Sequence, residues 1–306
     1  MLIFPQRSII RSNKYLKRLI IAVTVLAAAL AAIYAAFSFR PPILVITEQN
    51  FIALYGEHRI NREAFFTSLA FFRPVKKVDI ASDAGEDIVP HAIVEVSNNP
   101  YCVVFPLRFA NSAAAYHGNN PEVPVIILEG RHQYRRANPG FFIYKTDVES
   151  DFYRAGLIAA IITAETEGRI AVFVDNRQFS AYRDVSRTAF SRGITEQGGR
   201  AQSVSFFASL SEMPENTEFA CVVLAGTASD YLDRKADIPV IMFSWLDTTV
   251  LPMDVFLVVD DSPWAQLKEA VTLFSKGEEQ GVISSKMSIF NRNFDRRILQ
   301  KVRQIR

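Results

Sequence analysis

The side chains best placed to do chemistry in this chain stand where apolar runs end. Asp175-Asn176-Arg177-Gln178-Phe179 follows the apolar run 170–174. Glu48-Gln49-Asn50-Phe51 follows the run 43–47, Arg108-Phe109 comes just after the run 101–105, and Glu129-Gly130-Arg131 follows the run 124–128. Gly226-Thr227 closes the run 220–225, and Ser244-Trp245-Leu246-Asp247 closes 238–243. Carboxylates and amides accept hydrogen bonds from ligand hydroxyls, and aromatic rings stack on flat ligands. This set therefore suits the holding of a small polar ring compound, a nucleoside or a sugar. Nothing in it suits bond making. There is no Walker loop, G-x-G-x-x-G or nucleophile elbow, and the four histidines (His58, His91, His117, His132) form no i, i+4 pair and no H-E-x-x-H. The chain is expected to be no enzyme, with no catalytic residue, no cofactor and no metal.

The elements that must position these residues follow from the runs themselves. Residues 147–197 read helix, strand, helix: an apolar helix over 151–164, the strand 169–174, then a helix over about 180–197 stopped by Gly198-Gly199. A near-continuous apolar strand fits a parallel sheet buried on both faces, and flanking helices make it one unit of a doubly wound α/β layer. Ligands in such sheets sit beyond the carboxyl ends of the strands. Further strands are expected at 43–47, 75–80, 101–105, 124–128, 141–144, 201–207, 220–224, 238–243 and 255–260. A helix is expected over 60–72 with Phe65, Phe66, Leu69 and Phe72 on its apolar face, stopped at Pro74. Residues 82–88 read as a turn or short helix, and 93–96 as a short extended piece. Asp261 or Ser262 should cap a helix with Pro263 at its first position, running to Gly277.

The chain has 306 residues, 49% hydrophobic and 22% charged, enough for two α/β lobes of roughly 100–150 residues each. A net charge of +2 gives no footprint for nucleic acid. Cys102 and Cys221 lie inside strands assigned to different lobes, so they are expected as buried thiols and not as a disulfide. Near the N-terminus, Arg7, Arg11, Lys14, Lys17 and Arg18 precede an uncharged stretch at 19–39. At 1.5 Å per residue this helix is about 31 Å long, which crosses a hydrocarbon core of about 30 Å. The cationic flank stays in the cytoplasm, so everything after Arg40 faces the periplasm or exterior. Two readings fit: an uncleaved signal anchor, or a signal peptide cleaved after Ala29-x-Ala31 and a domain released to the periplasm. The C-terminal stretch is basic, with Lys286, Arg292, Arg296, Arg297, Lys301, Arg303 and Arg306 opposed by Asp295. It reads as a solvated face or a contact to anionic membrane.

Three segments carry a family resemblance: Tyr153-Arg154-Ala155-Gly156-x-x-Ala159-Ala160, Gly168-Arg169-Ile170-Ala171-Val172-Phe173-Val174, and Phe190-x-x-Gly193. Together they resemble the centre of the basic membrane protein family, nucleoside-binding components of ABC transporters. Residues 239–247, 255–260 and 264–271 resemble its later part. The resemblance implies the type I periplasmic binding protein fold: two Rossmann-like lobes with mostly parallel sheets, joined by three chain crossings, with ligand trapped in the cleft and an ABC permease as partner. It places the crossings near Asp147, Asp247 and Gly277. The N-terminal lobe would then be 41–146 plus 248–277, the C-terminal lobe 147–247, and 278–306 a basic tail crossing back to the latter. It further implies that Asp247 meets ribose hydroxyls, that Phe179 stacks on the base, that Gly226-Thr227 forms a glycine turn near the ligand, and that Asn61 matches an asparagine after the first strand. Three departures stand beside it. The acidic, glycine-containing start is Thr47-Glu48-Gln49-Asn50, the paired glycines after the central strand are Asp175-Asn176, and the lipoprotein cysteine is absent. Ligand binding is thus assigned to Glu48, Asn50, Asn61, Phe109, Asp175, Asn176, Phe179, Gly226, Thr227, Trp245 and Asp247. The alternative is a membrane-anchored sensor or envelope scaffold whose cleft is degraded.

Overall fold

The structure, a computed structural model, describes residues 7–85, 87–130, 140–164, 168–175, 182–200, 203–212, 219–226, 238–243, 255–290 and 294–305. A long helix, α1 (Arg7–Ser38), leads into β1 (Ile43–Glu48), α2 (Gln49–Tyr55), α3 (Glu57–Phe71), β2 (Val75–Ile80) and α4 (Ile88–Val96). The first lobe continues with β3 (Cys102–Pro106), α5 (Ala110–Asn119), β4 (Val125–Gly130) and β5 (Phe141–Thr146). Then come α6 (Val148–Thr163), β6 (Arg169–Val174), α7 (Arg183–Glu196), β7 (Val204–Phe207), β8 (Phe219–Ala225), β9 (Val240–Phe243) and β10 (Val255–Asp260). The chain closes with α8 (Pro263–Ser275), β11 (Gln280–Ile283), β12 (Lys286–Ile289) and α9 (Arg296–Val302).

Two six-stranded sheets result, ordered β11-β5-β4-β3-β1-β2 and β12-β10-β9-β8-β6-β7. All pairings are parallel except β12 with β10. The apolar runs explain this. Ile43 to Ile46 and Val255 to Val259 are buried throughout, so each strand is covered on both faces, as a parallel sheet requires. On the first sheet, α3 and α8 cover one face through Ile60, Trp264 and Leu267, and α4 and α5 cover the other through Val89, Ile93 and Tyr116. On the second, α6, α7 and α9 cover one face through Phe152, Phe190 and Leu299. The backbones of α6 and α7 touch. A Cβ on Gly156 would lie 2.3 Å from the Phe190 carbonyl oxygen, and one on Gly193 would lie 2.2 Å from that of Tyr153. Only glycine permits that approach.

Several expectations change. Residues 82–83 form a turn, as expected, but 93–96 is not an extended piece: 88–96 is the helix α4, whose Val89 and Ile93 point into the core. Its β-branched residues suggested extended chain, but burial of one helical stripe overrides that preference. On α3 the buried side is Ile60, Glu63 and Thr67, while Phe65, Phe66 and Leu69 face outward. The expected assignment of 248–277 to the first lobe fails for β10, which pairs with β9 in the second sheet. The second crossing therefore lies at Asp260–Ser262, not near Asp247, and the third at Ser284–Ser285, between β11 and β12, not near Gly277. The basic tail carries two short strands, one in each sheet, and α9 buries Leu299 and Val302 in the second core.

Candidate functional site at the lobe junction

Three short segments cross between the lobes, and buried polar contacts hold each one. At the first, the Thr146 hydroxyl accepts from Gln266 Nε2 at 3.1 Å, and Asp147 caps α6 by accepting from the Ser150 amide at 3.0 Å. At the second, Asp260 accepts from the Tyr55 hydroxyl and from the Ser262 amide, each at 3.0 Å. Burial, and then the Asp260 charge, push the Tyr55 phenol far above its ordinary pKa, so it stays a donor. Ser262 caps α8 by accepting from the Ala265 amide at 3.2 Å. At the third, Asp151 accepts from Arg154 Nη2 at 2.7 Å, from the Ser285 amide at 3.2 Å and from the Ser285 hydroxyl. Arg154 Nη2 also donates to the Ser285 carbonyl at 3.0 Å, so this cluster pins α6 to the crossing.

A pocket of about 140 Å³ opens at the carboxyl ends of β1 and β3. Its polar wall is Glu48 paired with Arg108, and its apolar floor is Ile46, Phe51, Phe109 and Trp264. The Arg108 guanidinium lies 5.6 Å from the Phe109 ring centroid. Phe51 stacks on Tyr55 at 5.0 Å, and the Trp264 indole donates to the Thr47 hydroxyl at 3.1 Å. The tryptophan is thereby fixed, with its polar atom satisfied and its ring left to line the pocket. A cavity of about 700 Å³ lies beside it, between α2–α3 of the first lobe and β12 and α9 of the second. Across it Arg59 stacks on Phe290 at 3.8 Å, and Lys286 bridges to Glu63.

Of the residues expected to bind ligand, Glu48 and Phe109 line the 140 Å³ pocket. Asn50 is exposed on α2 nearby, its amide donating to Ser82 Oγ at 3.2 Å. Asn61 is exposed on α3 and lines neither pocket. On the second lobe Asp175 and Gly226 come together at the ends of β6 and β8. The Asp175 amide donates to the Ala225 carbonyl at 2.8 Å, and Gly226 has φ +116° with a Cβ position only 2.3 Å from Asp175 Cβ. A side chain at 226 would displace Asp175. Asn176, Phe179, Thr227, Trp245 and Asp247 lie outside the described residues. Tyr55, Asp260 and Trp264 were not among the expected residues. Asp260 ends an apolar run just as Asp175 does, so the rule that found the one could have found the other. Among the described residues no group of histidine, cysteine and carboxylate side chains is arranged to hold a metal ion.

No family model and no curated protein matches the chain. Solved structures do. An ABC transporter solute-binding protein from Aeropyrum pernix K1 aligns at 9% identity and TM-score 0.50, covering 87% of this chain and 85% of that one. The fold is that of the type I periplasmic binding proteins. A transcriptional activator of the comK gene from Bacillus halodurans shares this binding-protein fold at 11% identity and TM-score 0.52, covering 87% of this chain and 95% of that one. One neighbour is a transporter component and the other a regulator, so the binding-protein fold comes without a ligand attached to it.

Proposed function

We propose that this chain is an extracytoplasmic solute-binding protein, held at the membrane by α1, that traps a nucleoside or sugar-like compound between its lobes for an ABC permease. The observation that carries this is the Glu48–Arg108 pair standing over Phe51, Phe109 and Trp264 at the carboxyl ends of β1 and β3. A flat apolar floor with a charged wall receives one face and one edge of a hydroxylated ring. Asn50 extends the same wall. The facing wall is assigned to the second lobe at Asp175 beside Gly226, and Asn176, Phe179, Thr227, Trp245 and Asp247, which lie outside the described residues, keep the ligand-binding role expected from the sequence and the family resemblance. Asn61 is proposed at the rim. The reading is of binding without turnover, with the named side chains supplying hydrogen bonds and stacking.

A second reading has its own support. Glu48 already has Arg108 as a partner, and 140 Å³ is smaller than the roughly 300–1,000 Å³ of most ligand pockets. Both features suit a membrane-anchored sensor or scaffold that no longer takes a solute. Thermal unfolding of the full chain, screened against nucleosides and sugars, separates the two. A ligand present at a hundred times its Kd adds about 2.7 kcal/mol, or roughly 5–10 °C in a fold of this size. A screen in which no compound raises the midpoint, and native mass spectrometry that finds no bound molecule, would favour the scaffold.

A further inference from the structure

Helix α3 carries an apolar face that nothing in the described protein covers. Phe65, Phe66 and Leu69 are 58%, 52% and 60% exposed, whereas Glu63 on the same helix is buried. Single exposed apolar residues are ordinary, but two phenylalanines and a leucine together on one helical face mark an interaction surface. The end of this face lies against the apolar N-terminal helix. The Phe37 ring of α1 meets the Phe72 ring at 5.6 Å, edge to face. Arg40 stacks over the other side of this junction, 4.8 Å from the Phe72 centroid, and Arg73 donates to the Pro41 carbonyl at 3.2 Å. The link from α1 to β1 is thus four residues long and fastened to the end of α3.

This fastening fixes a height. The apolar span of α1 is Leu19–Ser38, so Phe37 sits at its outer end. At 1.5 Å per residue along α3, Leu69 lies about 4.5 Å and Phe65 about 10 Å from Phe72, and a bilayer headgroup layer is about 5–8 Å thick. An upright α3 puts Leu69 in that layer, and a tilted one puts all three residues there. The charges agree. Arg40 and Lys76 are exposed and Arg73 is half-buried around the same end of the lobe, while Lys77 bridges the carboxylates Glu57 and Asp79 and offsets one of their two charges. Aromatic rings bordered by cations are the pattern of a surface resting on anionic lipid.

We propose that the outer face of α3 (Phe65, Phe66 and Leu69) docks in the headgroup layer of the membrane that α1 crosses, with Arg40, Arg73 and Lys76 meeting anionic lipid. The proposal rests on α1 being retained as a membrane anchor. Cys102 and Cys221 are fully buried, so Phe66→Cys introduces the one reactive surface thiol. The full chain with this substitution carries an environment-sensitive nitrobenzoxadiazole label and enters nanodiscs of equimolar phosphatidylcholine and phosphatidylglycerol. Val185→Cys, exposed on the second lobe, is the control. At position 66 the emission is expected to shift to the blue, and spin-labelled lipid should quench it at least about twofold more than at 185, while aqueous iodide does the reverse. Equal quenching at both positions in a chain that floats with lipid overturns the docking and leaves the anchor standing. A chain that does not associate with lipid overturns both. A blue shift that vanishes when each nanodisc holds one copy assigns the face to a second copy of the chain, and overturns lipid as its occupant.

Discussion

Two arginine–carboxylate pairs, Asp151–Arg154 in the second lobe and Glu48–Arg108 in the first, stand in opposite surroundings. Asp151 and Arg154 of the second lobe have side chains 1% and 8% exposed, and Ser285 and the Ser150 carbonyl add further hydrogen bonds to the pair. Glu48 and Arg108 of the first lobe are 19% and 58% exposed at the mouth of a pocket. The chemical groups are the same and their surroundings set them apart. A buried pair whose remaining lone pairs and protons are met by protein loses heavily when either partner goes, because the survivor is a charge without solvent. A pair open to water is screened and costs little to break. The second-lobe pair is thus committed to holding a crossing, while the first-lobe pair can exchange its partner at little cost, as the ligand-binding role proposed for Glu48 requires.

The sharpest way to break this comparison is Asp151→Ala. Stranding Arg154 should cost about 3–5 kcal/mol, which at 2–4 °C per kcal/mol lowers the melting midpoint by roughly 6–20 °C in circular dichroism. A drop no larger than that of Glu48→Ala would end the distinction. Tyr55→Phe lies between the two, since it removes one of the donors to buried Asp260, at about 1–3 kcal/mol. It also has a signature in pH. The folded pKa of Tyr55 is raised above the unfolded value of 10.0, so its contribution is complete below pH 10 and lost as pH rises beyond it. Alkaline melting should therefore fall less steeply in Tyr55→Phe than in the parent chain. Glu48→Ala should change stability by no more than about 1 kcal/mol, yet abolish any ligand-induced rise in midpoint. The smallest effect tests whether both lobes are equally closed. Burial pushes the Cys221 thiol up to about 12 and the Cys102 thiol higher still, so neither should react with a thiol reagent in the native protein and both should react after denaturation.

What the residues disclosed in advance was the layer. Runs such as 169–174 and 255–260 can only be strands covered on both sides, and Ser262-Pro263 can hardly be anything but a helix start. The sheet to which a strand belongs is another matter. β10 has the composition of any buried parallel strand, and its place in the second sheet depends on partners far away in sequence. β11 and β12 are four residues each with mixed burial, too short and too irregular to show a period. The face of α3 shows a related limit. Spacing identified Phe65, Phe66 and Leu69 as one stripe, but a stripe does not say what covers it. At the site, strand ends directed attention to Glu48, Phe109, Asp175 and Gly226. Trp264 is held at its pocket by a hydrogen bond to Thr47, 217 residues away in sequence, and no local pattern encodes that.

The four-residue link between α1 and β1 also has a mechanical meaning. Arg73 grips it at Pro41 and Phe72 packs on Phe37, so the first lobe has little freedom to swivel on α1. The second lobe is joined to the first through its three crossings, and those are where backbone rotation between lobes must occur. With α1 seated in a bilayer, the first lobe becomes the stator. Any opening or closing is then travel of the second lobe alone, along an arc set by Thr146–Asp147, Asp260–Ser262 and Ser284–Ser285.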